Sequence, residues 1–364
     1  MQFPLKIVCP IAGVGKRLQP FTFSKPKAFL KIAGKMIIDH TMEQLKAAFP
    51  RGTEMLFITG YKKELLVPHI TKHYSDYFKL NFIEQLPRSY NEDIPIFPGL
   101  GHAICLARKC NFLQTSDTNN GLFIILSDRL PIEGFISFVE DIKTANVDGI
   151  IASSIVAHPE HYGVMQLDEK DFIRNIVEKP KTFISNIAIS GMYAFNPIAT
   201  KTLLDILSIM VEKPIPDDQE YQLTPALQNL VDQGFKIKQH PMKNEVLDIG
   251  RPSSLISGNK FFLSTQSTQT KCNAPDSHIV PPVHIGKSPS IQDSIIGPFV
   301  SLGDNVEIKN SIIRNSVIGD NVSLAQVITS DSIIGDNCYL EDIIKNSITV
   351  GDRSIISTKT NDQY

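Results

Sequence analysis

Between Leu5 and Leu126 short apolar runs alternate with longer segments whose apolar residues recur at helical spacing. LKIVCPI, EMLFIT, LNFIE and GLFIIL are of strand length, whereas MIIDHTMEQLKAAF, KKELLVPHITKHY and GHAICLARKC repeat at three- and four-residue intervals. Continuous apolar strands alternating with amphipathic helices predict a largely parallel sheet covered on both faces, an α/β fold. In such a sheet the ligands sit beyond the carboxyl ends of the strands, so the loops after these four runs are where chemistry is expected.

The pattern changes after residue 264. Ser264 to Ser277 (STQSTQTKCNAPDS) is polar and poor in apolar residues, which predicts a linker. From Leu302 the chain repeats, with Gly303, Gly319, Gly335 and Gly351 each sixteen residues apart and Gly-Asp-Asn in the first three copies. Aliphatic residues at strand-like intervals within each copy can stack inward, and the polar turn residues tolerate left-handed backbone at corners. This segment resembles the hexapeptide-repeat left-handed β-helix, with Ile285-Gly286 and Ile296-Gly297 as less regular entry coils. The expected organisation is a catalytic domain over 1–264, a linker over 265–278 and a left-handed parallel β-helix over 279–364.

A chain of 364 residues with 42% hydrophobic and 20% charged residues has the make-up of a soluble globular protein of two domains. Thirty-six Lys and Arg against 38 Asp and Glu give no cationic field, so no nucleic acid partner is expected. The five cysteines lack metal-ligand spacing and are expected to be reduced core thiols. The apolar stretch Ile7 to Ile11 is too short for a signal peptide or a membrane span, so a cytoplasmic location and no membrane partner are expected.

The first strand runs into Ala12-Gly13-Val14-Gly15-Lys16-Arg17-Leu18-Gln19-Pro20-Phe21-Thr22, followed by Ser24-Lys25-Pro26-Lys27. Glycines at a strand end let backbone N–H groups approach phosphate oxygens, and Lys16, Arg17, Lys25 and Lys27 supply charge, which suits a triphosphate. The segment is not the P-loop of NTPases, because Pro10 and Arg17 stand where that motif needs glycine and a hydroxyl residue. Nor is it a dinucleotide fingerprint, since no GxGxxG opens a helix.

The segment resembles the signature of the sugar-1-phosphate nucleotidylyltransferases, Gly-x-Gly-Thr-Arg-Leu/Met-x-Pro-x-Thr with an essential lysine five residues further on, which selects Lys27. Pro-Ile-Ala-Gly-Val-Gly leans toward the bacterial UDP-glucose pyrophosphorylase branch, and Lys16 replaces the usual threonine. The resemblance implies a Rossmann-like, mostly parallel sheet of the nucleotide-diphospho-sugar transferase type. It places Ala12, Gly13, Gly15 and Lys16 on the nucleotide and assigns catalytic roles to Arg17 and Lys27.

Four further family positions follow in order. Glu84-Gln85 and Pro98-Gly99 match the positions that pair with a pyrimidine edge, so Gln85 and Gly99 would read uracil or thymine. Asp128 in GLFIILSD matches the L-x-D magnesium ligand. His161-Tyr162-Gly163-Val164 and Ile176-Val177-Glu178-Lys179-Pro180 imply Gly163, Glu178 and Asn186 on the sugar and Lys179 on its phosphate. Asp248 in Val246-Leu247-Asp248-Ile249-Gly250 matches the second magnesium ligand. Gln222-Leu223-Thr224-Pro225-Ala226 resembles a helix entry of the family that shapes the surroundings of the sugar pocket.

The resemblance implies nucleotidyl transfer from a nucleoside triphosphate, UTP or dTTP favoured, to a sugar-1-phosphate, glucose-1-phosphate favoured, with Mg2+ as cofactor. A GTP-using mannose-1-phosphate enzyme is the alternative within the class. A non-catalytic regulator that binds sugar nucleotide is the alternative outside it. Acyltransferase chemistry in the β-helix is not expected, because the regular repeats contain no histidine; His278 and His284 lie in the entry region. Packing against the catalytic domain or homo-oligomer formation is the expected role of the coils, since an open solenoid end must be capped or paired.

Overall fold

The computed structural model describes residues 3–113, 119–144, 146–216, 218–243, 246–265 and 274–358. They form two compact units that do not follow chain order. The first comprises 1–14 and 41–247, the second 15–40 and 248–364. The boundary expected after residue 264 therefore falls inside the second unit. Of the linker expected over 265–278, residues 266–273 lie outside the described residues; Thr265 ends a helix and His278 opens a strand.

In the first unit the apolar runs are strands as their pattern predicts. Gly121–Ile125, Leu5–Pro10, Glu54–Thr59 and Lys79–Glu84 lie side by side, all parallel. Ile187–Phe195 joins antiparallel beside Gly121–Ile125 and carries the antiparallel pair Gly163–Leu167 and Ile173–Glu178. The strand Gly149–Ile155 pairs with Ile187–Phe195 and with Ile237–Pro241.

Alternate residues of the central strands serve opposite faces. Val8, Leu122 and Ile124 are buried against the helices Leu100–Lys109, Pro197–Glu212 and Thr224–Asp232. Phe123 points the other way, with Phe49, Phe135 and Phe138 around it at ring distances of 5.2 to 5.8 Å. Both faces are thus dry, and the strand ends are left as the place where polar groups can meet a ligand. The strand Val246–Asp248, whose first two residues close this unit, pairs with Arg129–Pro131.

The second unit is a parallel β-helix together with the helix Pro252–Thr265 and the segment Gly15–His40. Strands stack coil on coil, as in Val317–Ile318 on Ile333–Ile334 on Thr349–Val350, all at the sixteen-residue period of the glycine column. Earlier coils are one residue longer: Val283 pairs with Val300, and Ile295 with Ile312. Val300, Leu302, Ile318, Leu324, Ile334 and Leu340 form the dry interior. The third residue of each Gly-Asp-Asn turn takes the left-handed corner, with φ of 57°, 55° and 59° at Asn305, Asn321 and Asn337.

The turn itself explains why glycine precedes aspartate. Asp320 Oδ1 accepts the Asp304 N–H at 2.9 Å, Asp336 Oδ1 the Asp320 N–H at 2.9 Å, and Asp352 Oδ1 the Asp336 N–H at 2.8 Å. A Cβ at Gly303, Gly319 or Gly335 would lie 2.3 to 2.4 Å from the carboxylate of the next coil. Only hydrogen fits against this column of acids.

Cys9, Cys105, Cys110 and Cys338 are free thiols, and Cys272 lies outside the described residues. Among the described residues no helix is long and apolar enough to cross a membrane.

Candidate active site

In the first unit Ala12, Gly13, Gln85 and Asp128 follow the carboxyl ends of parallel strands, whereas Gly163 and Glu178 lie in an antiparallel pair. Ala12 and Gly13 follow Leu5–Pro10. Ala12 is buried and its carbonyl accepts the Tyr61 N–H at 3.0 Å, while Gly13 is exposed with open space where a side chain would go. That geometry leaves the Gly13 backbone open to an incoming group.

Gln85 follows Lys79–Glu84 and is buried, with its backbone tied to the Thr59 carbonyl at 2.8 Å. Its side-chain amide donates to the Gly99 carbonyl at 2.9 Å and to His102 Nδ1 at 3.2 Å. The bond requires His102 to carry its proton on Nε2, and burial followed by Lys109 pulls the imidazole below its ordinary pKa, favouring that neutral form. Gly99 heads the helix Leu100–Lys109 at φ 108°, where a Cβ would meet the Tyr221 backbone at 2.8 Å. The fold brings Gln85 and Gly99 together through a direct bond and adds His102, one helical turn inside, as the group that orients the amide.

Asp128 sits in the turn after Gly121–Ile125, closed by the Arg129 N–H on the Leu126 carbonyl at 3.0 Å. Its charge reaches two buried groups: it helps burial push the Cys9 thiol up, and after burial and Glu178 it also raises the Tyr193 phenol. Arg129 opposes the shift at Tyr193 and lies 5.5 Å from the centre of the Tyr162 ring.

Glu178 is the cross-strand partner of Gly163. Its Oε2 accepts the Thr224 hydroxyl at 2.6 Å, and its Oε1 lies 3.6 Å from Lys179 Nζ. A Cβ on Gly163 would stand 3.1 Å from Glu178 Oε2 and 3.3 Å from Thr224 Oγ1, so glycine keeps this floor low. Lys179 is exposed and holds φ of 43° directly before Pro180, a conformation that costs strain for a residue with a side chain. Asn186 is placed differently. It is exposed, and its carbonyl accepts the Val156 N–H at 3.0 Å.

The segment Glu220–Thr224, expected only to shape surroundings, does more. Tyr221 donates its N–H to Pro98 and accepts that of Gly101, over the Gly99 turn, and three residues later Thr224 holds Glu178. One short stretch thus ties the Gln85–Gly99 group to Glu178. Thr224, Arg129 and His102 are the groups that pattern reading missed. Replacing Thr224 with Val keeps shape but removes a donor to a carboxylate, a bond of about 1.5–3 kcal/mol. If Glu178 holds the sugar as the resemblance implies, the KM for sugar phosphate should rise about tenfold or more with little change in kcat, as initial-rate kinetics will read.

In the second unit Gly15, at φ 71°, caps a single helical turn, Lys16–Leu18. The buried Thr22 hydroxyl donates to the Gly15 carbonyl at 3.2 Å, and a Cβ on Gly15 would lie 3.2 Å from Lys27 Cβ. Lys16 and Arg17 are exposed. Asp248 and Arg17 flank Gly250: a Cβ there would be 2.9 Å from Asp248 Oδ1 and 3.3 Å from Arg17 Nη2. Gly15, Lys27 and Thr22 thus form one group, and Arg17 with Asp248 another.

Lys25 and Lys31, from the same segment, pair with the aspartate column. Burial pulls Lys25 down, but Asp336 and Asp352 outweigh it and hold the ammonium above its ordinary pKa. Burial pushes Asp320 up, but Lys31 and the Asp304 N–H outweigh it and hold the carboxyl low. These contributions to stability are present above the unfolded Asp value of about 3.9 and below the unfolded Lys value of about 10.4. They are lost only as pH falls through the depressed Asp320 value or rises through the elevated Lys25 value.

Among the described residues no cluster of three or more His, Cys, Asp or Glu could hold a metal by itself. A site of one or two carboxylates that leaves the remaining positions to phosphates and water suits magnesium, and Asp128 and Asp248 are hard oxygen donors of that kind.

The chain is 27% identical over 336 residues to the low-salt glycan biosynthesis nucleotidyltransferase Agl11 of Haloferax volcanii, covering 86% of this chain and 87% of that protein. It is 30% identical over 260 residues to the bifunctional protein GlmU of Methanococcus maripaludis, covering 71% of this chain but 54% of GlmU, so it spans about half the length of that relative. In fold it is similar to the crystal structure of a UDP-glucose pyrophosphorylase complexed with UDP-glucose, with a TM-score of 0.58 at 22% identity, covering 72% of this chain and 100% of the other. The nucleotidyl transferase family model matches residues 11–265, more than half of the sequence. The chain belongs to the nucleotidyl transferase family.

Proposed function

We propose that the protein transfers a nucleotidyl group from UTP or dTTP to a sugar-1-phosphate, with glucose-1-phosphate the favoured acceptor, releasing pyrophosphate. The observation that carries this reading is the stretch Glu220–Thr224 joining two groups of residues in the first unit. One holds an oriented amide at Gln85 beside the Gly99 backbone, suited to a pyrimidine edge. The other holds Glu178 over the Gly163 floor with Lys179 beside it, suited to sugar hydroxyls and a phosphate.

An oxygen of the sugar phosphate attacks the α-phosphorus in line, the α–β bond breaks and pyrophosphate departs. Such a transfer calls for positioning and charge stabilisation rather than a covalent nucleophile. Lys179 binds the phosphate of the acceptor, Glu178 orients its ring, and Ala12, Gly13, Gly15 and Lys16 receive the triphosphate. Lys27 neutralises the α- or β-oxygens, and Arg17 holds the departing pyrophosphate. Asp128 and Asp248 are the carboxylates that would hold magnesium, which when bound offsets the repulsion between two phosphates brought together.

The test is pyrophosphate release with UTP, dTTP, GTP or ATP against glucose-, mannose- and N-acetylglucosamine-1-phosphate in the presence of magnesium. Turnover is expected with UTP or dTTP and glucose-1-phosphate. Turnover confined to GTP and mannose-1-phosphate would replace both substrate assignments. No product with any triphosphate would leave a role in binding sugar nucleotide and regulating a partner.

A further inference from the structure

The acids of the glycine-aspartate column divide their oxygens between two tasks. Each Oδ1 takes the backbone N–H of the preceding coil and so builds the solenoid. The Oδ2 atoms meet the segment that follows the signature turn. Lys25 Nζ pairs with Asp336 Oδ2 and lies 3.0 Å from Asp352 Oδ2, the Ser24 hydroxyl donates to Asp352 Oδ2, and Lys31 Nζ donates to Asp320 Oδ2 at 2.6 Å and to its Oδ1 at 2.8 Å, so that Asp320 Oδ1 serves both. Further along the same edge, a Cβ on Gly351 would touch the Pro20 ring at 2.9 Å.

All of these residues belong to one compact unit. Lys25 is mostly buried, with 17% of its side chain exposed, and Asp352 shows only 8%. A stack of carboxylates repels itself, and breaking a buried ion pair from one side leaves the other charge stranded. The lysines therefore hold the segment firmly.

A second tie fixes the far end of the segment. The buried Asn259, on the helix Pro252–Thr265, accepts the Ala33 N–H at 2.8 Å and donates to the Phe299 carbonyl at 3.1 Å. The stretch from Ser24 to Ala33 is thus anchored to the β-helix at both ends, with Lys27 in between and its stem against Gly15.

We propose that the aspartate column is a positioning device for the nucleotide loop: Asp336 and Asp352, acting through Lys25 and Ser24, set where the Lys27 ammonium stands. They touch no substrate and act through the loop. The proposal rests on the reading that Lys27 serves the triphosphate. It gives the β-helix a part in turnover, beyond capping or self-association.

The test uses the full chain with Asp336→Asn, Asp352→Asn, Lys25→Gln and Lys25→Arg, against Asp304→Asn, whose Oδ1 accepts the Lys287 N–H at the start of the column. The two aspartate variants and Lys25→Gln are expected to lower kcat on the order of tenfold or more, with KM for sugar phosphate within about twofold, the scale set by misplacing a catalytic group. Amide hydrogen exchange over residues 21–30 should speed up in the same three. Lys25→Arg should restore both readouts, and Asp304→Asn, which keeps the Oδ1 acceptor, should leave both kcat and exchange over 21–30 unchanged. Unchanged exchange over 21–30 would overturn the proposal, as would unchanged kcat or an equal loss of kcat in Asp304→Asn. Hydrogen exchange reads the anchoring without substrate, so a wild-type chain inactive with every triphosphate would sink the nucleotidyl-transfer reading separately.

Discussion

Lys27→Ala is expected to lower kcat about a hundredfold or more, the scale seen when one preorganised charge-stabilising group is removed. The lysine is not a freely moving surface cation. Its Cβ stands against Gly15, whose φ of 71° and lack of a side chain allow that approach. The Gly15 carbonyl in turn receives the buried Thr22 hydroxyl at 3.2 Å, so the turn and the lysine are fixed to each other. A preorganised ammonium costs no reorientation as charge moves onto the phosphate oxygens, which is why its loss should fall on kcat more than on KM. Pyrophosphate release at saturating substrates measures the effect. Wild-type turnover in the variant, with its melting temperature unchanged, would remove Lys27 from the chemistry.

The parallel strands and the repeat were legible because each rests on local spacing. The glycine column announces the coil since every copy meets the same acid one turn on, and alternation of apolar runs with amphipathic helices announces the sheet. What sequence reading did not reveal depends on distant pairs. The bonds from Lys25 and Lys31 to the column span 311 and 289 residues, and nothing in either segment names the other. For the same reason the compact units cut across chain order, with the loop from Gly15 to His40 grouped with the coils. The entry coils hid their period because they carry one extra residue, as in Val283 on Val300. Thr224 escaped because it opens a helix, where a hydroxyl is ordinary, and only the fold turns it onto Glu178. Asn186, a family position well matched in sequence, is exposed, and its backbone carbonyl takes the Val156 N–H.

Asp128→Asn is expected to lower kcat by about a hundredfold or more and to raise the magnesium concentration needed for half-maximal rate. Asparagine keeps the shape of the side chain, and the turn from Leu126 to Arg129 is closed by backbone bonds that the substitution leaves intact. The melting temperature should therefore hold while the charge is lost. Asp128 is half-buried in the turn after Gly121–Ile125, where a dielectric below that of water strengthens a carboxylate's hold on a cation. Asp248→Asn should behave alike. If the two carboxylates serve one ion, the double variant should lose little more than the worse single, since a site already broken cannot be broken again. Losses that multiply would instead assign the two acids to separate tasks, and a magnesium dependence unchanged in either single variant would take that residue off the metal.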